Sequence, residues 1–188
     1  MRNKKFGIWI EGTIIASLAI VLSLIPTNIG PSLTVSLGMV PLTLFAFRRG
    51  FIPAVYAGFL WGILHFVIGN AYILSPVQGF IEYFIAFAFA GFGGVFAAKI
   101  QSTSQEHNPV KMNLYIVLGT FTGTLARFFW HFVAGYYFWG SYAPEGMNAL
   151  LYAFITQILS GVVTAIVAST LLIVIKKTAP KLFSPATL

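Results

Sequence analysis

The chain's four acidic side chains are Glu11, Glu82, Glu106 and Glu145, and there is no Asp. Glu106 and Glu145 fall in polar stretches, and Glu11 stands near the end of an apolar run, where it can reach an interface. Only Glu82 is expected inside a deeply apolar body. An ionisable group held there needs a partner or a cationic ligand, which makes it a candidate site by default. Two structural roles compete with ligand binding: an ion pair with Arg127, and a contact with the positive end of its own helix. A second pattern lies further along. Read as a helix, Gly119, Gly123, Arg127, His131, Gly135 and Trp139 recur every fourth position and share one slowly drifting face. Small residues, a cation, an imidazole and an indole on one face should look at protein or a ligand, not at lipid.

Aromatic side chains gather on the same side as Glu82. Trp61, Tyr72, Tyr83, Trp139 and Tyr152 are expected there with His131, alongside Trp130, Tyr136, Tyr137 and Tyr142. Part of this set has the interfacial belt role common to Trp and Tyr at membrane helix ends. A flat, cationic, heteroaromatic ligand would also suit it. Rings supply stacking and cation–π attraction, Glu82 supplies charge, and His131 and the phenols supply directional hydrogen bonds.

Enzyme chemistry finds little support. There is no Walker sequence, HExxH, GxSxG or Asp-rich metal motif, and with no cysteine there is no thiol nucleophile or disulfide framework. Ser160 and Ser169 lack a His or Lys placed to activate them, so packing or back-bonding accounts for them. Glu106 and His107 are adjacent without partners at metal-ligand spacing and read as solvated loop residues. No catalytic residue, metal site or cofactor is expected.

The elements that must hold these residues are membrane helices. The 188-residue chain is 58% hydrophobic and 8% charged, too few charges to cover a soluble domain of this size. The spacing of apolar runs predicts six helices near 8–25, 37–47, 52–68, 79–98, 112–134 and 147–175 in one domain, residues 1–188. The second is only about eleven residues long and carries Pro41. It is therefore expected short or broken, with the preceding loop filling part of the membrane depth against protein or a cavity. External loops are expected at about 26–36, 69–78 and 135–147, and a cytoplasmic loop at about 99–111.

The net charge of +7 is topogenic and does not point to nucleic acid. Arg2, Lys4, Lys5, Arg48, Arg49, Lys99, Lys111, Lys176, Lys177 and Lys181 all fall on one side of a six-span topology, while the three opposite loops contain no Lys or Arg. Both termini are thus expected in the cytoplasm. The first run reads as a retained helix and not a cleaved signal. On it Gly12, Ala16 and Ala19 make a small-residue face, suited either to packing within the subunit or to close contact with another helix. No internal repeat is evident.

Several blocks resemble a known family. They are Leu74-x-Pro76-Val77-Gln78-Gly79-Phe80-x-Glu82-Tyr83, Ala126-Arg127-Phe128-x-x-His131-Phe132-x-x-Gly135 and Phe138-Trp139-Gly140-Ser141-Tyr142-Ala143-Pro144. In these the chain is similar to the thiamine-specific substrate-binding (S) subunits of bacterial energy-coupling factor (ECF) vitamin importers. That resemblance implies an all-α integral membrane protein of the bacterial plasma membrane with the six-helix S-component fold and an external pocket closed by the first loop. It implies Glu82 and His131 as central polar groups facing thiamine, Trp139 as the stacking platform, and Trp61, Tyr72, Tyr83 and Tyr152 as further walls. It also implies docking through Gly12, Ala16 and Ala19 onto a transmembrane coupling subunit driven by two ATPases. The chain departs from the family pattern at Pro31 and Ser32, where a Trp is usual in the first loop, at Asn70 for His and at Gln157 for Asn. These changes bear on affinity and on the choice among thiamine-like ligands. Alternatives are an S component for another small heteroaromatic vitamin or precursor, such as the pyrimidine half of thiamine, and a non-transport membrane assembly protein.

Overall fold

The computed structural model describes residues 2–29, 33–106 and 108–184; Pro31, Ser32 and His107 lie outside these. Among the described residues six helices form the body. They are α1 (Arg2–Ser23), α2 (Met39–Arg49), α3 (Phe51–Val67), α4 (Pro76–Gln105), α5 (Pro109–Phe138) and α6 (Ala149–Thr178). Four of them, α1, α4, α5 and α6, are long and apolar enough to cross a membrane. The fold is that of an all-α multi-pass membrane protein, apart from a two-residue antiparallel ladder between β1 (Asn28–Ile29) and β2 (Leu33–Thr34) in the first loop.

The helices run beyond their sequence-expected ends at the basic side. Residues expected as a cytoplasmic loop are mostly helical, since α4 continues to Gln105 and α5 starts at Pro109. The polar residues that suggested a loop serve the helix: the Ser102 and Thr103 hydroxyls donate to Lys99 O, and Gln101 Nε2 donates to Phe47 O at 2.9 Å. Asn108 caps α5, its side chain accepting from Lys111 N, with Pro109 in the first turn, where a missing N–H costs nothing. At the other end α5 extends through Phe138, four residues into the expected outer loop.

Close packing of α3, α4 and α5 depends on glycine. A Cβ at Gly62 would lie 1.7 Å from Tyr83 O, one at Gly91 2.4 Å from Val55 N, and one at Gly123 2.5 Å from Ala90 O. Backbones therefore meet directly, as small residues permit in membrane bundles. Trp61, fully buried, anchors the main apolar cluster with Ala16, Ala19, Phe45 and Phe87. A second cluster of Phe47, Ile100, Ile116, Leu172 and Phe183 closes the basic end. There Glu11 ties α1 to the turn between α2 and α3. Its carboxylate accepts a 2.7 Å hydrogen bond from Arg49 Nε, while Arg48 Nε sits 2.9 Å away without hydrogen-bond alignment.

Helix α2 is 11 residues, about 16 Å at 1.5 Å per residue, and too short to cross a bilayer. Pro41 falls within its first turn, where it removes no intrahelical bond. Ahead of it residues 33–36 run extended and Leu37 and Gly38 turn into the helix.

Candidate functional site

Two stretches of π-helix, the wide turn that often marks functional sites, interrupt the regular helices near the outer ends of α4 and α6, at Phe80–Ile85 and Phe154–Ile158. The first carries Glu82 and the second Thr156 and Gln157. Opposite them α5 contributes His131 and Gly135 and, at its C-terminal end, Trp139.

These residues line a cavity of about 260 Å³ walled by Glu82, His131, Trp139, Tyr152, Thr156 and Gln157. A second cavity of about 350 Å³ adjoins it and shares His131 and Gln157 as wall. Its other walls include both arms of the first loop, with Asn70, His65 and Arg127. Their volumes lie near the lower end of the range for small-molecule sites, about 300–1,000 Å³.

Glu82 is buried, and Trp139 Nε1 donates to its Oε1 at 2.7 Å. The expected structural partner is engaged elsewhere. Arg127 donates from Nη1 to Ser36 Oγ at 2.7 Å, and its guanidinium lies 4.2 Å from the Phe87 ring centre and 4.7 Å from that of Trp61. Among the described residues the ion pairs are those of Glu11 with Arg48 and Arg49, so the alternative of a Glu82–Arg127 pair is corrected. The cation is instead held by π faces and a hydroxyl. A buried carboxyl group that meets an indole N–H and, among the described residues, no cation keeps acceptor capacity for a ligand. His131 adds a buried Nε2 without a protein partner, 131 being one of the two residues that face both cavities.

The other sequence-expected residues fall into three groups. Tyr152 and Gln157 line the smaller cavity, and Asn70 the larger, where its Nδ2 sits 3.3 Å from His65 Nδ1. Tyr72 is 60% exposed and packs at 5.3 Å on the Trp139 ring, forming an outer rim with Tyr142. The Tyr142 hydroxyl is held above the ordinary phenol range by its hydrogen bond and charge interaction with Tyr72. Trp61 and Tyr83 line neither cavity. Trp61 is fully buried, donates to Ser23 Oγ at 3.1 Å and lies against the Arg127 guanidinium. The Tyr83 hydroxyl accepts from Tyr72 N at 2.9 Å, so it props up the outer loop from behind.

Gly12, Ala16 and Ala19 face inward. Ala16 and Ala19 have no exposed surface, and a Cβ at Gly12 would meet the Phe45 ring at 3.3 Å. In this chain the face packs α1 on α2 and α3.

Sequence reasoning did not single out Thr156, Gln78 or Ser36. Gln78 is fully buried at the start of α4; its Oε1 accepts from Leu74 N and its Nε2 donates to Tyr72 O, stapling the second outer loop. A Gln two residues after a Ser-Pro helix start was the available signal. Ser36 carried none, because its partner Arg127 is 91 positions away. Among the described residues no group of three or more His, Asp or Glu side chains is arranged for a metal.

Comparison with known proteins places this architecture. The family described as thiamine transporter protein (Thia_YuaJ) matches residues 9–184. The chain is 39% identical to the thiamine transporter ThiT of Lacticaseibacillus paracasei, with 97% of this chain and 92% of that protein covered. It is 30% identical to the thiamine transporter ThiT of Bacillus subtilis, with 96% of each covered. A solved structure of ThiT from Listeria monocytogenes superposes with a TM-score of 0.95 at 44% identity, covering 97% of this chain and all of that one.

Proposed function

The chain belongs to the thiamine transporter protein (Thia_YuaJ) family, and on that basis we propose that it binds thiamine in the cavity between Glu82, His131 and Trp139 and serves its uptake across the bacterial plasma membrane. The observation that carries this reading is Glu82: a buried carboxylate with an indole N–H on one oxygen and no cation beside it. Thiamine joins an aminopyrimidine, which donates hydrogen bonds from its amine, to a permanently cationic thiazolium. The Glu82 carboxylate, beside the Trp139 and Gln78 side chains, suits the amine, and its charge offsets the thiazolium in a medium of low dielectric. The indole of Trp139 offers a stacking face, and His131 Nε2 and Gln157 offer further polar contacts. The relatives are named as transporters, and the chemistry assigned to the site is recognition and not catalysis.

Delivery is proposed to follow the ECF scheme, in which this subunit reorients while docked on a coupling subunit powered by two ATPases. The site residues named above are part of the same proposal. Docking would have to use surface other than Gly12, Ala16 and Ala19, which this chain buries; α1 turns Ile14 and Leu18 outward.

Titration of the purified protein with thiamine, followed by tryptophan fluorescence, tests the ligand. Saturable quenching at or below micromolar vitamin is expected, because Trp139 stands in the site. No response at that concentration, with the aminopyrimidine alone competing for a reporter ligand, would transfer the site to the precursor.

A further inference from the structure

At the end of the bundle rich in Lys and Arg, a groove of about 280 Å³ opens between the end of α4, the start of α5 and the end of α6. It shares no residue with the two cavities of the outer end. Pro109, Met112 and Pro180 give it apolar walls, and Ser104, Asn108 and Lys176 stand among its polar ones.

What these three side chains have left to offer is hydrogen-bond donors. The Lys176 ammonium gives one N–H to Pro109 O at 3.3 Å and another to Asn113 Oδ1, which leaves a third. The Asn108 oxygen is taken by Lys111 N in the cap of α5, so its amide Nδ2 remains. The Ser104 hydroxyl meets no partner among the described residues. Thr103, also in the wall, has already spent its hydroxyl on Lys99 O. No carboxylate pairs with these donors among the described residues: Glu11 is held by Arg48 and Arg49, and Glu106 stands exposed in the turn between α4 and α5.

A set of donors without an acid suits an anion with several acceptor oxygens. The apolar walls suit hydrocarbon. By helix spacing the seam between α5 and α6 continues from Asn113 and Lys176 to Val117 and Ile173, both apolar and half-buried. Lys111, Lys177 and Lys181 are exposed within a few residues of the wall and add attraction for an anionic leaflet. A soluble phosphate would use the donors and leave the apolar walls bare.

We infer that this groove seats the headgroup of an anionic phospholipid of the cytoplasmic leaflet, with Lys176, Ser104 and Asn108 donating to its phosphate oxygens and Pro109, Met112 and Pro180 against its glycerol and first acyl carbons. Lys177 carries the same charge one position on and is not part of the wall, which separates a built site from general surface charge. The groove lies at the opposite end from Glu82, so the inference stands or falls apart from the thiamine reading.

The test uses the full-length protein in detergent, titrated with dioleoyl phosphatidylglycerol or dioleoyl phosphatidylcholine and read by native mass spectrometry, which counts the lipids each chain retains. Wild type should hold a phosphatidylglycerol about tenfold more tightly than phosphatidylcholine. Lys176→Gln should abolish that preference and Lys176→Arg should keep most of it, while Lys177→Gln should lower it by no more than about twofold. Ser104→Ala removes one donor without touching the bonds of Lys176 and should weaken phosphatidylglycerol alone; it carries the decision if Lys176→Gln melts lower than wild type. A wild type without preference, or equal losses at Lys176 and Lys177, overturns the site. Displacement of the lipid by millimolar inorganic phosphate would give the donors to a soluble anion and overturn the lipid as occupant.

Discussion

Glu82 and Trp139 divide the work of recognition between them, and each can be removed separately. Replacing Glu82 with Gln keeps an acceptor but removes the charge opposite the proposed cation. Thiamine affinity should fall about 10- to 100-fold, the range for hydrogen bonds to charged groups. Because no protein cation is paired with it, the variant should melt no lower than wild type, whereas breaking a buried ion pair would cost about 3–5 kcal/mol. Thermal melts beside calorimetric titration decide this; a large loss of stability with binding intact would return Glu82 to a structural role. Replacing Trp139 with Phe retains a ring and deletes the N–H that donates to Glu82 at 2.7 Å. Calorimetry should show affinity reduced by about tenfold for Phe and by more for Ala, which also loses the stacking face. Equal losses would mean that the ring contributes nothing.

At the scale of elements, the site depends on how closely α3 and α4 approach. Gly62 lies against Tyr83 O, in the π-helical stretch that aims Glu82 at the cavity. Gly62→Ala should force the helices apart at a cost of roughly 1–3 kcal/mol and should weaken ligand binding as well, since the displaced backbone carries Glu82. Gly12→Ala is the comparison. Its nearest neighbour is the tip of the Phe45 ring at 3.3 Å, which can yield, so melting should drop far less. A melting series on the two variants checks the ranking, and a greater loss at Gly12 would contradict it. The helix ends show where pattern reading falls short. Lys99 to Asn108 is polar yet helical to Gln105, because its hydroxyls and amide turn back to carbonyls of its own and neighbouring helices. Polarity was a poor guide to where the helix stops. The Asn108-Pro109 start was readable, as both residues have a local reason to begin a helix.

Across the whole molecule, the placement of Lys and Arg predicts orientation. The chain has no native cysteine, so single substitutions can report sidedness directly. Glu145→Cys, in the outer loop, should react with a membrane-impermeant maleimide in intact cells, and Glu106→Cys, between α4 and α5, only after permeabilisation; the reverse pattern would invert the topology. The membrane class and the six helices were legible in the sequence, and so was the apolar setting of Glu82, His131 and Trp139, which the structure gathers around one cavity. Hydropathy and Lys/Arg position act locally along the chain, and few ionisable groups lie within apolar runs. The shortness of α2 was legible too, as its 11 residues match the short apolar run. Which partner each polar group takes was not legible. Glu82 meets Trp139 across 57 positions, Arg127 turns to Ser36 across 91, and the Ser160 and Thr164 hydroxyls accept from Thr34 N and Ser36 N across 126 and 128. Opposite charges alone suggested Glu82 with Arg127, but distance and aromatic faces in the packed bundle decided otherwise. The same holds for Gly12, Ala16 and Ala19, whose small size permits close contact without saying with which helix. Only the tertiary structure, which sets helix rotation and depth against neighbours, assigns that contact to α2 and α3 of the same chain.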